Sequence, residues 1–326
     1  MKNIDSYEDC SSSSYNYIIR NISRVNEKFG TPQILKEIFK DLLELVNKMI
    51  SNKKTDDFIE LKGEYTTVDN KYLKFDKTIK ITIQDKKRLD IYSRSTSDSI
   101  YLELNFQSHD DRELKRVLFH ELLHIYEIFF RMENNKKSLQ WSLNSILNDI
   151  RDKYEGDNFL SILIYYIYLS YDHEINARVC ETYMILMDLM STNKSEILEE
   201  LKNTNAWKYK NMLSNFEIKN VNYNNLFVFL KDFNSKVNEK QKINNRIFQI
   251  PNNIKDSKSI LKEWKILFKK KSKYFESKLI KVVDDVVFDV NMINNTKIDE
   301  FNNFEIIYPI ELIRESKIRK VLRENH

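Results

Sequence analysis

The spacing of apolar positions changes period twice along the chain, and those changes predict its elements. Residues 1–14 (MKNIDSYEDCSSSS) are polar without a pattern and predict a flexible leader. From Tyr15 to Phe29 the spacing is weakly helical and ends at Gly30, Thr31 and Pro32. Proline lacks an N–H that a first helical turn does not use, so Pro32 marks the start of the next helix. That helix, about Gln33–Ser51, carries Ile34, Ile38, Leu42, Leu45 and Ile50 at near-helical spacing. After a polar connection the period becomes two. Tyr72–Phe75, Ile79–Ile83 and Leu89–Tyr92 predict short strands, with Ile79, Ile81 and Ile83 on one face. Ile100, Leu102, Leu104 and Phe106 then alternate with Tyr101, Glu103 and Asn105 in the clearest strand of the chain. A strand of this sheet that lies at an edge could pair with an extended peptide; otherwise the sheet only supports the helix after it.

Helical spacing returns at Asp110–Arg131 (DDRELKRVLFHELLHIYEIFFR). Asp110 and Glu113 have capping-box spacing, and Leu114, Leu118, Leu122, Ile125 and Phe129 form an apolar stripe. Helical segments come next around Trp141–Ile150 and at Phe159–Leu169 (FLSILIYYIYL), the latter too short to span a bilayer and read as a buried helix. A further helix is expected within Leu169–Met187. Beyond Ser191 the candidates are Lys194–Leu201, Trp207–Phe216 and Asn225–Asn238, with a break at Pro251. Ser257–Val287 predicts one long helix or two joined ones, striped by Ile260, Trp264, Leu267, Phe268, Phe275, Leu279, Val282 and Val286. From Phe304 a short apolar segment, FEIIYPI, precedes a polar helix. The expected class is α+β: a small mixed sheet before the 110–131 helix, and helices elsewhere. The expected division is a leader (1–14), a main domain (15–190) and a mainly helical accessory region (191–326).

Composition removes several functions. Three glycines in 326 residues leave no P-loop or dinucleotide-binding turn, which need several glycines close together. A net charge of +4, from 53 basic and 49 acidic residues, is too balanced to imply nucleic acid. Lys262, Lys265, Lys269 and Lys273 decorate the 257–287 helix, but Glu276, Asp284 and Asp285 dilute their field. That helix is read as a solvated face of a module that closes over a site or meets a partner. Cys10 and Cys180 make a poor disulfide framework, which points to a reducing compartment. No apolar run of a secretory signal follows the amino terminus, and a cytoplasmic or virion-associated location is expected.

The candidate chemistry lies in the 110–131 helix. Two of the chain's five histidines, His120 and His124, stand at i and i+4 with Glu121 between them. Such a pair presents two ring nitrogens on one helical face, an arrangement suited to Zn2+, and the intervening glutamate can take a proton from water at the metal. The bland alternative makes both histidines packing residues. A catalytic zinc needs a third protein ligand. His109 precedes the cap, and His326 is the last residue. In LSYDHEINARVCETYMILM, Glu174 shares a face with Ala177 and Glu181, so Glu174 is the chosen ligand, with His173 its substitute and Asp172 a helix cap.

HELLH followed by a glutamate on a separate helix resembles the zincin metallopeptidases of the glutamate-ligand group, the gluzincins. Glu174–Arg178, EINAR, is similar to a variant of the second-helix motif in phage and bacterial members of that class. The resemblance covers mainly residues 100–190 and makes the main domain zincin-like. It implies His120, His124 and Glu174 as metal ligands, Glu121 as general base and acid, and hydrolysis of a peptide or protein substrate. Two departures stand out. Glu174 lies fifty residues beyond His124, farther than in the best-known gluzincins, and Arg178 stands where those have a carboxylate one turn after the ligand. Glu181 could orient His120 instead from another turn, or Arg178 could hold Glu174 or a substrate carboxylate. Arg178, Tyr171 and Tyr183 are the candidates for stabilising the negative oxygen of the transition state. The alternative to a zinc peptidase is a noncatalytic binding or virion-associated structural protein on a zincin-like scaffold.

Overall fold

The computed structural model of the chain describes residues 32–66, 72–84, 90–95, 99–105, 116, 118–121, 124, 143, 146–147, 149–154, 156–241 and 246–300. The expected leader, the 15–29 helix, the Asp110/Glu113 capping box, most of the 114–129 stripe, His109, and everything from Phe304 onward lie outside them.

Helix α1 (Pro32–Ser51) opens on its proline, as expected. Its buried positions are Leu42, Val46 and Met49, one step round from the stripe read in the sequence, with Leu45 and Ile50 half-buried at the margin. Four strands come after it: β1 (Asp56–Thr66), β2 (Tyr72–Gln84), β3 (Asp90–Ser95) and β4 (Ser99–Asn105). Their order across the sheet is β1-β2-β4-β3. The sheet is mixed, with β1–β2 and β3–β4 antiparallel and β2–β4 parallel.

Strand β1 arises from the stretch taken as a polar connection. There Ile59, Leu61 and Tyr65 alternate with Glu60, Lys62 and Glu64, but Gly63 interrupts the apolar series. The two short strands expected within 72–83 are one strand, β2, because its antiparallel pairing with β1 runs unbroken from Thr66↔Tyr72 to Asp56↔Thr82. Parallel register sets Ile79, Ile81 and Ile83 beside Ile100, Leu102 and Leu104. On β2 itself Ile79 and Ile81 are fully buried and Ile83 is half-buried, so this side of the strand faces the core. The strand most legible in the sequence, β4, is interior. Among the described strands the edges are β1 and β3.

The remaining described chain is helical. The motif helix is described at residues 116, 118–121 and 124, and helical residues recur at 143, 146–147 and 149–151. Then come α2 (Asn158–Leu169), α3 (Asp172–Met187), α4 (Lys194–Asn203), α5 (Asn205–Ser214), α6 (Tyr223–Gln241) and α7 (Ile254–Glu300). Asp157 caps α2 by accepting the Leu160 N–H at 3.0 Å. The N-cap of α3 is Tyr171, so Asp172, expected to cap, is its first helical residue and accepts from Lys271 of α7 instead. Where helices stop, the chain places non-glycine residues in the left-handed region: Lys53 (φ 52°) after α1 and Met190 (φ 50°) after α3. Each costs on the order of 1 kcal/mol, which the packing around it must supply. No described helix is long and apolar enough to cross a membrane.

Helix α7 is single and continuous. Its predicted stripe is buried from Ile260 to Val286, with Leu267 half-buried. It lies along α3, α4, α5 and α6. Across α3 it is tied by Lys271 to Asp172, by Lys278 to Asn176 at 2.7 Å, and by the Tyr183 hydroxyl, which donates to Asp289. Buried apolar side chains from Leu42 to Val290 form one continuous core.

Candidate metal centre

Two helices build the site. One turn separates His120 from His124 on the motif helix, which puts both rings on one face with centroids 4.8 Å apart. Their Nε2 atoms are 3.1 Å apart. Glu174, in the first turn of α3, places Oε1 3.2 Å from His124 Nε2 and Oε2 3.6 Å from His120 Nε2. All three residues are buried, and they form a group able to hold a metal ion.

The triangle fits a metal by size. Metal–ligand bonds of about 2.0–2.1 Å at tetrahedral angles require ligand atoms roughly 3.3–3.4 Å apart. The two ring nitrogens, 3.1 Å apart, lie near that value, and Glu174 approaches each through a different oxygen, Oε1 at 3.2 Å from His124 and Oε2 at 3.6 Å from His120; with one ligand atom from each residue, the three lie within 4.8 Å of one another. Ala177 on α3 is buried.

Around the triangle the groups are ionically matched. Burial disfavours a charge on His120, but hydrogen bonds to Glu174 and Glu181 outweigh it and hold its pKa up at about 9. Burial pushes Glu174 upward, yet the facing His124 and His120 keep its carboxyl well below the usual range. Glu181 is drawn down to about 2: burial opposes ionisation, and His120, Arg116 and Arg178 overcome it. Glu181 stands two turns after Glu174 and receives His120 Nδ1 at 3.2 Å through Oε2. Its Oε1 accepts from Arg116, which lies one turn before His120. Glu181 thus makes the contact that orients His120 with its Nε2 toward the centre, one of the two arrangements open from the sequence. Arg116 escaped the sequence reading, although its i,i+4 spacing to His120 was visible.

Arg178 approaches Glu174 Oε2 at 3.9 Å and lies over the Tyr209 ring, 4.1 Å from its centroid. Tyr209 belongs to α5, so the helices after residue 191 contribute to the surroundings of the site. Glu121 is buried beside His120, and its Oε2 has no hydrogen-bond partner among the described residues. His173 borders the cluster, with Nε2 3.5 Å from Glu174 Oε1, but stacks on Tyr171 and stays outside the triangle.

The three tyrosine positions differ sharply. The Tyr171 hydroxyl is buried without a hydrogen-bond partner, and Tyr183 is committed to Asp289. Tyr168, not singled out in the sequence, lies against Glu174. Burial raises its pKa well above the ordinary value, aided by the Glu174 charge, a hydrogen bond to Glu174 and the charge of Glu121. The available signal was its place at the end of α2, a polar tip in an apolar run six residues before Glu174.

No protein-family model, curated protein or solved structure matches the chain. The reading of the site therefore rests on its own geometry.

Proposed function

We propose that the chain is a zinc-dependent peptidase of the zincin type, with His120, His124 and Glu174 as ligands and Glu121 as the proton-transfer group. The observation that carries this reading is the convergence of buried His120, His124 and Glu174, whose ligand atoms lie within 4.8 Å of one another, with the Glu121 carboxylate buried alongside. Zinc held there supplies a Lewis acid that acidifies water and polarises a carbonyl.

The chain's own residues do the rest. Glu121 accepts the proton of the attacking water and returns it to the departing amine nitrogen. Glu181 and Arg116 keep His120 oriented. The Tyr168 hydroxyl, next to Glu174 and within the field of Glu121, is the nearest donor for negative charge developing on the carbonyl oxygen, and Tyr171 and Arg178 stand behind it. Among the described strands β3 has only β4 as a neighbour, so its outer backbone groups suit an extended peptide.

The test is zinc stoichiometry and hydrolysis of an unfolded protein substrate by wild type, Glu121→Gln and Glu174→Ala. One zinc per chain is expected in wild type and Glu121→Gln, lost in Glu174→Ala. Hydrolysis by Glu121→Gln should fall about 10²–10⁴-fold. Folded proteins that all lack zinc would sink the reading. Zinc without hydrolysis would instead favour the noncatalytic binding or virion-associated scaffold.

A further inference from the structure

The solvent face of α7 is more basic than its sequence suggests. Eight lysines are exposed on it: Lys255, Lys258, Lys262, Lys265, Lys269, Lys270, Lys273 and Lys281. Of the acids that dilute this run in the sequence, Asp285 is half-buried, Glu276 is paired with another helix, and Asp284 is paired while staying exposed. Glu276 pairs with Lys210 of α5 at 3.2 Å, Asp284 with Lys194 of α4, and Asp289 accepts from Tyr183 of α3. Asp256 accepts the Asn252 N–H at the helix start, and Glu263 stands half-buried at the flank. Lys262, Lys269, Lys270, Lys273 and Lys281 have no ion-pair partner among the described residues. In a chain of net charge +4, this concentrates positive charge along one helical face.

Apolar groups are set among these lysines. Ile266 is 50% exposed, Tyr274 41%, Ile280 37% and Phe288 57%. At 100° per residue, Ile266, Ile280 and Phe288 fall on the same side as Lys262, Lys270 and Lys273. From Lys255 to Phe288 the strip is about 50 Å long. Lys271 and Lys278, which grip the metal-bearing helix α3, lie on the opposite flank.

We infer that this face of α7 docks onto an anionic lipid bilayer. Lysine ammonium groups at the end of long stems suit headgroup phosphates, and exposed isoleucine and phenylalanine gain by entering the interface beneath them. A nucleic acid would use the charge but offers nothing to Ile266, Ile280 or Phe288. The stretch 255–288 also contains no arginine, the side chain suited to bidentate recognition of phosphate and guanine. The docking is peripheral, because the main apolar stripe of α7 is already buried in the core.

Flotation of the full chain with phosphatidylcholine vesicles, with and without about 30% phosphatidylglycerol, tests this. Wild type should float only with the anionic vesicles and be released at about 0.5 M salt. Lys262→Glu/Lys269→Glu/Lys273→Glu removes no ion pair, and circular dichroism checks that the fold persists. It should lower partitioning on the order of a hundredfold. Ile266→Ser/Ile280→Ser/Phe288→Ser keeps every charge and should lower it about tenfold. Absence of flotation, or flotation unchanged by the charge reversal, would overturn the inference. So would an apolar triple variant that binds like wild type while duplex DNA strips the protein from vesicles, the behaviour of a nucleic-acid face. None of these outcomes depends on zinc or hydrolysis.

Discussion

Around Trp264 the interior is assembled from rings and aliphatic chains, whereas between the motif helix and α3 it is assembled from imidazoles and carboxylates. Trp264 packs against Phe248, Phe268 and Phe233 with ring centroids 5.7, 5.7 and 6.5 Å away. Polar groups enter that region to hold backbone: the Asn234 amide donates to the carbonyls of Ile247 and Gln249, and the Asn238 amide to that of Phe248. Between the other two helices, His120, Glu121, His124, Glu174 and Glu181 are all buried. Three of them aim their polar atoms at one point. The aromatic region gains stability from burial alone. The ionisable one carries a desolvation cost that close pairing offsets, and a cation at the point of convergence would offset it further. Desolvated groups converging on a point are what a site needs and what a core avoids.

The sharpest way to separate the two regions is Trp264→Ala. It should cost roughly 3–5 kcal/mol in denaturant unfolding yet leave zinc stoichiometry unchanged while the protein remains folded. Loss of zinc at full folding would mean the regions are not independent. A smaller effect is expected from Arg116→Ala. Freed from its clamp, Glu181 should hold His120 less firmly, lowering zinc affinity about 10–100-fold in chelator competition with little change in unfolding. Equal affinity in wild type and Arg116→Ala would reduce the Arg116–Glu181 pair to a surface staple.

A third effect concerns pH in the metal-free protein. The pKa of His120 is raised in the fold from 6.5 to about 9. Its stabilisation is therefore complete below the unfolded value and is lost as pH rises through about 9. For Glu181, lowered from 4.5 to about 2, the sign reverses: its contribution is present above 4.5 and is lost as pH falls toward 2. Melting temperature should decline on both sides, and Trp264→Ala should shift the curve without changing its shape. A flat profile between pH 6 and 10 would contradict the ion pairing.

Much of the molecule was legible because one-dimensional pattern fixes local structure. The helices 32–51 and 158–169 and the 257–287 part of α7 are given by period, and the placing of His120 and His124 on one face by a motif whose spacing is itself the geometry. Glu174 was reachable by elimination, since few other ligands lay downstream. The features that escaped depended on partners distant in sequence. Strand β1 looks polar until β2 is beside it. Tyr168 is one of eighteen tyrosines until α2 and α3 bring it against Glu174. Glu276 and Asp284 seem to neutralise α7 until Lys210 and Lys194 take their charge.

The ties between α7 and α3 also impose an order in time. Glu174 leaves the ribosome well before Asp289, the residue that secures Tyr183 of the same helix. At ordinary synthesis rates that interval is on the order of ten seconds. During it His120, His124 and Glu174 all exist, but the helix presenting Glu174 lacks its long packing partner. The surroundings of the three residues are therefore complete only after α7 has been made.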